Sequence, residues 1–206
     1  PSVGGCSGTP TTVTITVNPI PTVTATPSSS SICSGTAPSI ALTSNVTGTI
    51  FNWTVVQTGV SGASASSGTI ISQTLSTTGT TAGTAVYTIT PTAGGCAGTP
   101  ITVTITVNPV PTATATPSSS TICSGNAPSI SLTSNVAGSS FNWTIVQTGV
   151  SGASASSGST IAQTLSTTGA SAGTAVYTIT PSAGSCPGTP IRSEEHRVGK
   201  ECRSRW

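Results

Sequence analysis

The chain has 206 residues and a formal net charge of +2, yet its five Lys and Arg, three Asp and Glu, and single His all lie between Arg192 and Trp206. Residues 1–191 carry no ionisable side chain other than Cys and Tyr. General acid–base catalysis near neutral pH draws on His, Asp, Glu or Lys, metal sites on His, carboxylate or thiolate, and nucleic-acid binding on Lys and Arg against phosphate, so these 191 residues predict no catalytic residue, cofactor, metal site or nucleic-acid partner.

Residues 1–19 (PSVGGCSGTPTTVTITVNP) match residues 91–109, and therefore read as the C-terminal strand of a preceding repeat. Cys6, Cys96 and Cys186 stand 90 apart, and residues 11–100 align with 101–190 without a gap, about four positions in five being identical. That period is a whole small domain, longer than the roughly 20 to 50 residues of a solenoid turn.

Within the unit, apolar residues alternate with Thr, Ser and Asn in TVTAT (22–26), SIALT (39–43), IFNWTVV (50–56), TIISQTLST (69–77), TAVYTIT (84–90) and ITVTITVNP (101–109). A period of two puts Ile101, Val103, Ile105 and Val107 on one face and the threonines between them on the other, the pattern of a half-buried strand. The clusters CSGTAP, QTGVSGASASSG, TTGTTAG and TAGGCAGTP separate these runs as turns. Helical periodicity is absent. Several short β-branched strands in a domain of about 100 residues predict a two-sheet sandwich. Phe51, Trp53 and Tyr87 of one unit and Phe141, Trp143 and Tyr177 of the next fall on strand faces as core residues would, since a sandwich this poor in aromatics needs them inside. No apolar run approaches the roughly 20 residues of a membrane span.

NPIP (18–21) and NPVP (108–111) mark the junctions, because each Pro fixes its own φ and holds its predecessor in extended geometry. Residues 20–109 are then one complete sandwich. Residues 110–191 form a second repeat, read as lacking its last strand: Arg192, Glu194 and His196 fall where the first unit has Thr102, Thr104 and Thr106, while Ser193, Glu195 and Arg197 replace the inward Val103, Ile105 and Val107. The charged, non-repeating tail 192–206 reads as foreign, and RSEEHRVGKECRSRW resembles translated adapter- or vector-derived ends.

The order CSGTAPSIALTS, FNWTVVQ, TAVYTITPTAGGC and GTPITVTITVNP resembles the PKD-like and immunoglobulin-like tandem repeats of bacterial cell-surface adhesins and secreted proteins, over residues 1–191. The resemblance implies an all-β chain of tandem β-sandwich domains strung as a stalk or spacer. It implies an extracellular place, on a bacterial surface or in secreted form, with neighbouring repeats as partners. The competing class is a binding module that contacts glycan or a partner cell surface. Many such domains carry Asp-rich turns; this chain has no Asp, which argues against calcium.

Cys33 and Cys96 belong to one unit and Cys123 and Cys186 to the next, and a repeated even count reads as disulfides formed outside the cytosol. Pairing within the unit is the simpler expectation. An immunoglobulin topology, however, separates the turn before the second strand from the turn before the last, and would bring Cys33 close to Cys186 of the next domain.

Trypsin cuts after Lys or Arg, so residues 1–191 should survive digestion in one piece even when unfolded, while the tail is shaved. Mass spectrometry checks this, and a tryptic end inside residues 1–191 contradicts it.

Overall fold

The computed structural model describes residues 1–198 and contains no helix among them. The first domain comprises β1 (Thr24–Thr26), β2 (Ser29–Cys33), β3 (Ile40–Thr43), β4 (Ile50–Thr58), β5 (Ser66–Ser67), β6 (Ile70–Ile71), β7 (Gly83–Ala93) and β8 (Ile101–Asn108). One sheet has the order β1-β3-β6 and the other β2-β8-β7-β4-β5. All pairs are antiparallel except β2 with β8, which run parallel from Ser29 opposite Thr104 to Cys33 opposite Asn108. The chain leaves the first sheet after β1 and joins the second as β2, and Pro27 stands at the break, where no ladder needs its missing N–H. This is a tandem immunoglobulin-like sandwich, because the second domain repeats the arrangement with β9 (Ala113–Thr116), β10 (Ser119–Ser120), β11 (Ile130–Ser134), β12 (Ser140–Thr148), β13 (Ser156–Ser157), β14 (Thr160–Ile161), β15 (Gly173–Ala183) and β16 (Ile191–Val198).

The period-two pattern explains what fills the space between the sheets. Ala25, Ile40, Leu42 and Ile71 face inward from the smaller sheet; Phe51, Trp53, Ala85, Tyr87, Ile89, Val103, Ile105 and Val107 face them from the larger. Phe141, Trp143 and Tyr177 are buried alike in the second core. The Tyr87 hydroxyl donates to Gln73 Oε1 at 3.0 Å, and the Gln73 amide in turn donates to the Ser64 carbonyl at 3.1 Å. One buried phenol thereby ties the segment after β6, through Gln73, to the loop between β4 and β5. Burial pushes the Tyr87 pKa up, so the hydroxyl keeps the proton that this bond requires.

Two elements differ from the sequence expectation. Ser29–Cys33 forms a strand although a serine run has no apolar alternation; β8 offers an edge, and main-chain pairing asks little of the side chains. Residues 191–198 likewise form β16 in the place where no final strand was expected. They pair with β15 from Ile179 opposite Ile191 to Gly173 opposite Val198, with an irregularity between Gly173 and Ala175. Ser193 is buried where the first domain has Val103, and its hydroxyl donates to the Ser118 carbonyl at 2.9 Å. The remainder of the tail, 199–206, lies outside the described residues.

The indole Nε1 of Trp53 and that of Trp143 are both buried without a hydrogen-bond partner. An unpaired buried donor costs about 1–3 kcal/mol, which offsets part of what the ring contributes by packing. Trp53→Ala should therefore destabilise the first domain by about 3–5 kcal/mol, whereas Trp53→Phe removes the unpaired donor and should cost less than about 1.5 kcal/mol. Chemical denaturation of the two variants checks the contrast, and equal losses would refute it.

Candidate functional site at the domain junction

The feature that stands out is where the two domains meet. β2 ends at Cys33 because Gly35 turns the chain at φ +85°, a left-handed conformation that L side chains rarely adopt. The turn is tied down on three sides: Ser34 N donates to the Asn108 carbonyl at 2.8 Å, Gly35 N to the Leu75 carbonyl at 2.8 Å, and Thr77 N to Ser34 Oγ at 3.0 Å. Asn108, opposite Cys33, donates from its side chain to Ser31 Oγ at 2.8 Å. The last residue of β8 and the last of β2 thus form one fixed platform, and Pro109-Val110-Pro111 leave it directly for the second domain.

From the other side comes the hairpin that follows β15. Gly184 turns the chain, Ala183 faces Cys186, and Gly188 N donates back to the Pro181 carbonyl at 2.8 Å. Gly188 lies so close to the Pro111 carbonyl that a Cβ would collide with it, and Gly98 meets Pro21 in the same way one unit earlier. The Gly in GTP and the second Pro of NPxP are therefore one contact, repeated at each junction. The hairpin brings Cys186 to Cys33, and the two are joined by a disulfide with their Cα atoms 5.5 Å apart.

This corrects the expectation that Cys33 pairs with Cys96, and Cys123 with Cys186. Cys33 sits beside Asn108 at the Gly83 end of β7, while Cys96 faces Ala93 at its other end. Ten strand residues at about 3.3 Å each put roughly 30 Å between them, against the limit of about 7 Å for a bridge. Cys96 and Cys6 are free thiols, and Cys123 is disulfide-bonded, though not to Cys186. The signal for the correct pair was the offset: each cysteine stands at one end of its sandwich, so its neighbour is in the adjoining domain.

A cleft of about 490 Å³ opens beside the disulfide, with Thr80 and Asn108 on one wall and Ala137 and Gly184 on the other. Its lining has no charged or titratable group: Thr80, Thr81 and Ser185 bring hydroxyls, with no base among the lining residues to activate them. No group of residues that could hold a metal ion occurs among the described residues. Phe51, Trp53, Tyr87, Phe141, Trp143 and Tyr177 are all buried, leaving no aromatic platform for a sugar among the described residues. Sequence reasoning missed Gln73, Gly98 and Gly188, and also Asn45, whose Oδ1 accepts from Thr22 N at 2.8 Å and fastens the start of the domain, as Asn135 does for Thr112 at 2.8 Å.

The PKD-like domain family matches residues 30–111 and again residues 120–195. No curated protein matches the sequence. Among solved structures the chain is similar to the fibronectin(III)-like modules of Clostridium thermocellum CbhA, at 12% identity and a TM-score of 0.36, over 90% of this chain and 98% of that one. It is similar also to the N-terminal four Ig domains of Dscam1 isoform 6.9, at 13% identity and a TM-score of 0.37, over 85% of this chain and 45% of that one. For protocadherin gamma B2 extracellular cadherin domains 3–6 the identity is 12% and the TM-score 0.29, over 85% and 47%.

Gly188→Ala should destabilise the second domain by about 1–3 kcal/mol, the usual cost of overpacking, and lower the yield of the Cys33–Cys186 bond. Gly169→Ala, with nothing near its added methyl group, serves as the control. Thermal melting and thiol counting measure both effects, and indistinguishable variants would show that the glycine–proline contact does not set the junction.

Proposed function

This chain belongs to the PKD-like domain family, and on that premise we propose that its domains are a spacer: the repeat region of an extracellular, bacterial surface-displayed or secreted adhesin-like protein that holds another module away from the cell. Tandem PKD-like domains of immunoglobulin type fit a structural or extracellular repeat region. The observation that carries the reading is the covalent junction. A disulfide between consecutive domains, set beside an NPVP linker and a glycine that admits no side chain, restricts how one domain can tilt on the next. Disulfides persist outside the reducing cytosol, which supports the extracellular placement. The absence of charge over residues 1–191 suits a surface that keeps its form as pH and salt vary, because screening and titration have little to act on.

A spacer of this kind needs neither substrate nor cofactor, and its partners are the neighbouring repeats. The alternative, a module that itself binds glycan, requires exposed polar or aromatic groups converging on a concavity, and the aromatics that would serve are in the two cores.

Small-angle scattering, with donor–acceptor dyes on the two domains, tests the proposal. The oxidised protein should show one narrow interdomain distance, and the Cys33→Ser, Cys186→Ser double variant a broader one with both domains still folded. Glycan arrays should show no specific binding. Equal breadth in the two proteins, or strong glycan binding by the oxidised one, would defeat the spacer reading.

A further inference from the structure

The larger sheet of the first domain builds the core with one face and turns the other to water. Along β4 the outward side chains Asn52, Thr54 and Val56 are all exposed. Register places Thr54 opposite Thr88 of β7, and Thr88 opposite Thr102 of β8; the next row is Val56, Val86 and Thr104. Val56 is 70% exposed, and its counterpart Val146, opposite Val176 in the second domain, is 63% exposed. Each outer face is therefore a field of threonines with one pair of valines set in it.

The two repeats show which outward apolar residues are incidental. Ile50 and Ile70 are also largely exposed in the first domain, but Ser140 and Thr160 stand in their places in the second. Val56 and Val86 recur as Val146 and Val176. Covering an exposed valine pair is favourable because it releases the water around it. The threonines specify what the cover is made of: a hydroxyl donates and accepts at once, so a threonine face is complementary to another face like itself. Charged faces lack this property, since like signs meet. Residues 1–191 bring no Lys, Arg, Asp or Glu, so the repeats carry no side-chain charge to keep two copies apart.

We propose that the outer faces of the larger sheets, centred on Val56 with Val86 and on Val146 with Val176, bind a second copy of this chain laid alongside the first. Size supports this occupant. The charge-free outer faces of β4, β7, β8, β12 and β15, at about 4.8 Å between strands and 3.3 Å per residue, amount to roughly 700 Å², near the roughly 800 Å² per partner of a standard interface. Neither domain supplies that area alone, and the bond between Cys33 and Cys186 joins the two into one unit. The same patch serves on both copies, so the contact is isologous and closes as a dimer. No covalent step is involved, and the inference does not depend on the spacer role.

The test is sedimentation velocity on the oxidised whole chain, over a concentration series at low and at high salt. The expected result is a concentration-dependent dimer that does not weaken as salt rises, because no ion pair holds it. The double variant Val56→Lys, Val146→Lys changes two exposed positions and should weaken the dimer at least about tenfold, the minimum expected when one buried aliphatic side chain is lost. Ile70→Lys with Thr160→Lys adds the same charge to exposed positions on edge strands of the smaller sheets and should leave the dimer intact. Thermal melting confirms that both variants stay folded. Equal weakening by the two variants would overturn the proposal, by showing general repulsion in place of a specific face. A dimer that dissociates at high salt would overturn it by assigning the contact to the charged tail. A monomer at every concentration would overturn it too, and would give this face to a partner of different chemistry.

Discussion

Both domains depend on a central strand that is paired along both edges. β7 meets β4 over nine residues and β8 over seven, while every second side chain from Gly83 to Ala93 turns into the core. In a chain with no charge before Arg192, salt bridges are unavailable to set register, and a one-residue slip would move the whole apolar set to the wet face. Burial of one face therefore performs two tasks: it supplies the driving force and it fixes the alignment. Tyr87 shows the result, with its ring inside and its hydroxyl reaching across to Gln73, so that the same strand also holds a loop of the opposite sheet.

The sandwich itself was legible because alternation is a local property. Phe51, Trp53, Tyr87 and the valines of ITVTITVNP announce their faces from spacing alone, and all are buried. What escaped reading depends on residues far apart in the chain. Ser29–Cys33 is a strand only because β8 lies next to it, and nothing in SSSIC encodes that neighbour. The bond between Cys33 and Cys186 was legible only as the alternative that an immunoglobulin topology offers, whereas counting cysteines within a repeat favours the wrong partner. Gly98 and Gly188 look like ordinary turn residues until the linker is seen crossing them. The final strand is a third kind of case: its side chains argue against pairing, but an open edge of β15 accepts a backbone regardless.

The Cys33–Cys186 bond also changes the route that tension would take through the molecule. The bond spans 153 positions, so a pull on the two ends passes from residue 33 to residue 186 through sulfur and leaves the intervening chain slack. On the loaded path lie β1 and β2, each an edge of its sheet, and β16; the strands that build most of both cores are off it. At about 3.3–3.6 Å per residue, roughly 500 Å of chain is kept in reserve. Stretching the oxidised protein peels edge strands and then meets a covalent stop. The reserve length becomes available only to a reductant, which makes the extensibility of the molecule a matter of the chemistry around it and not of the strength of its folds.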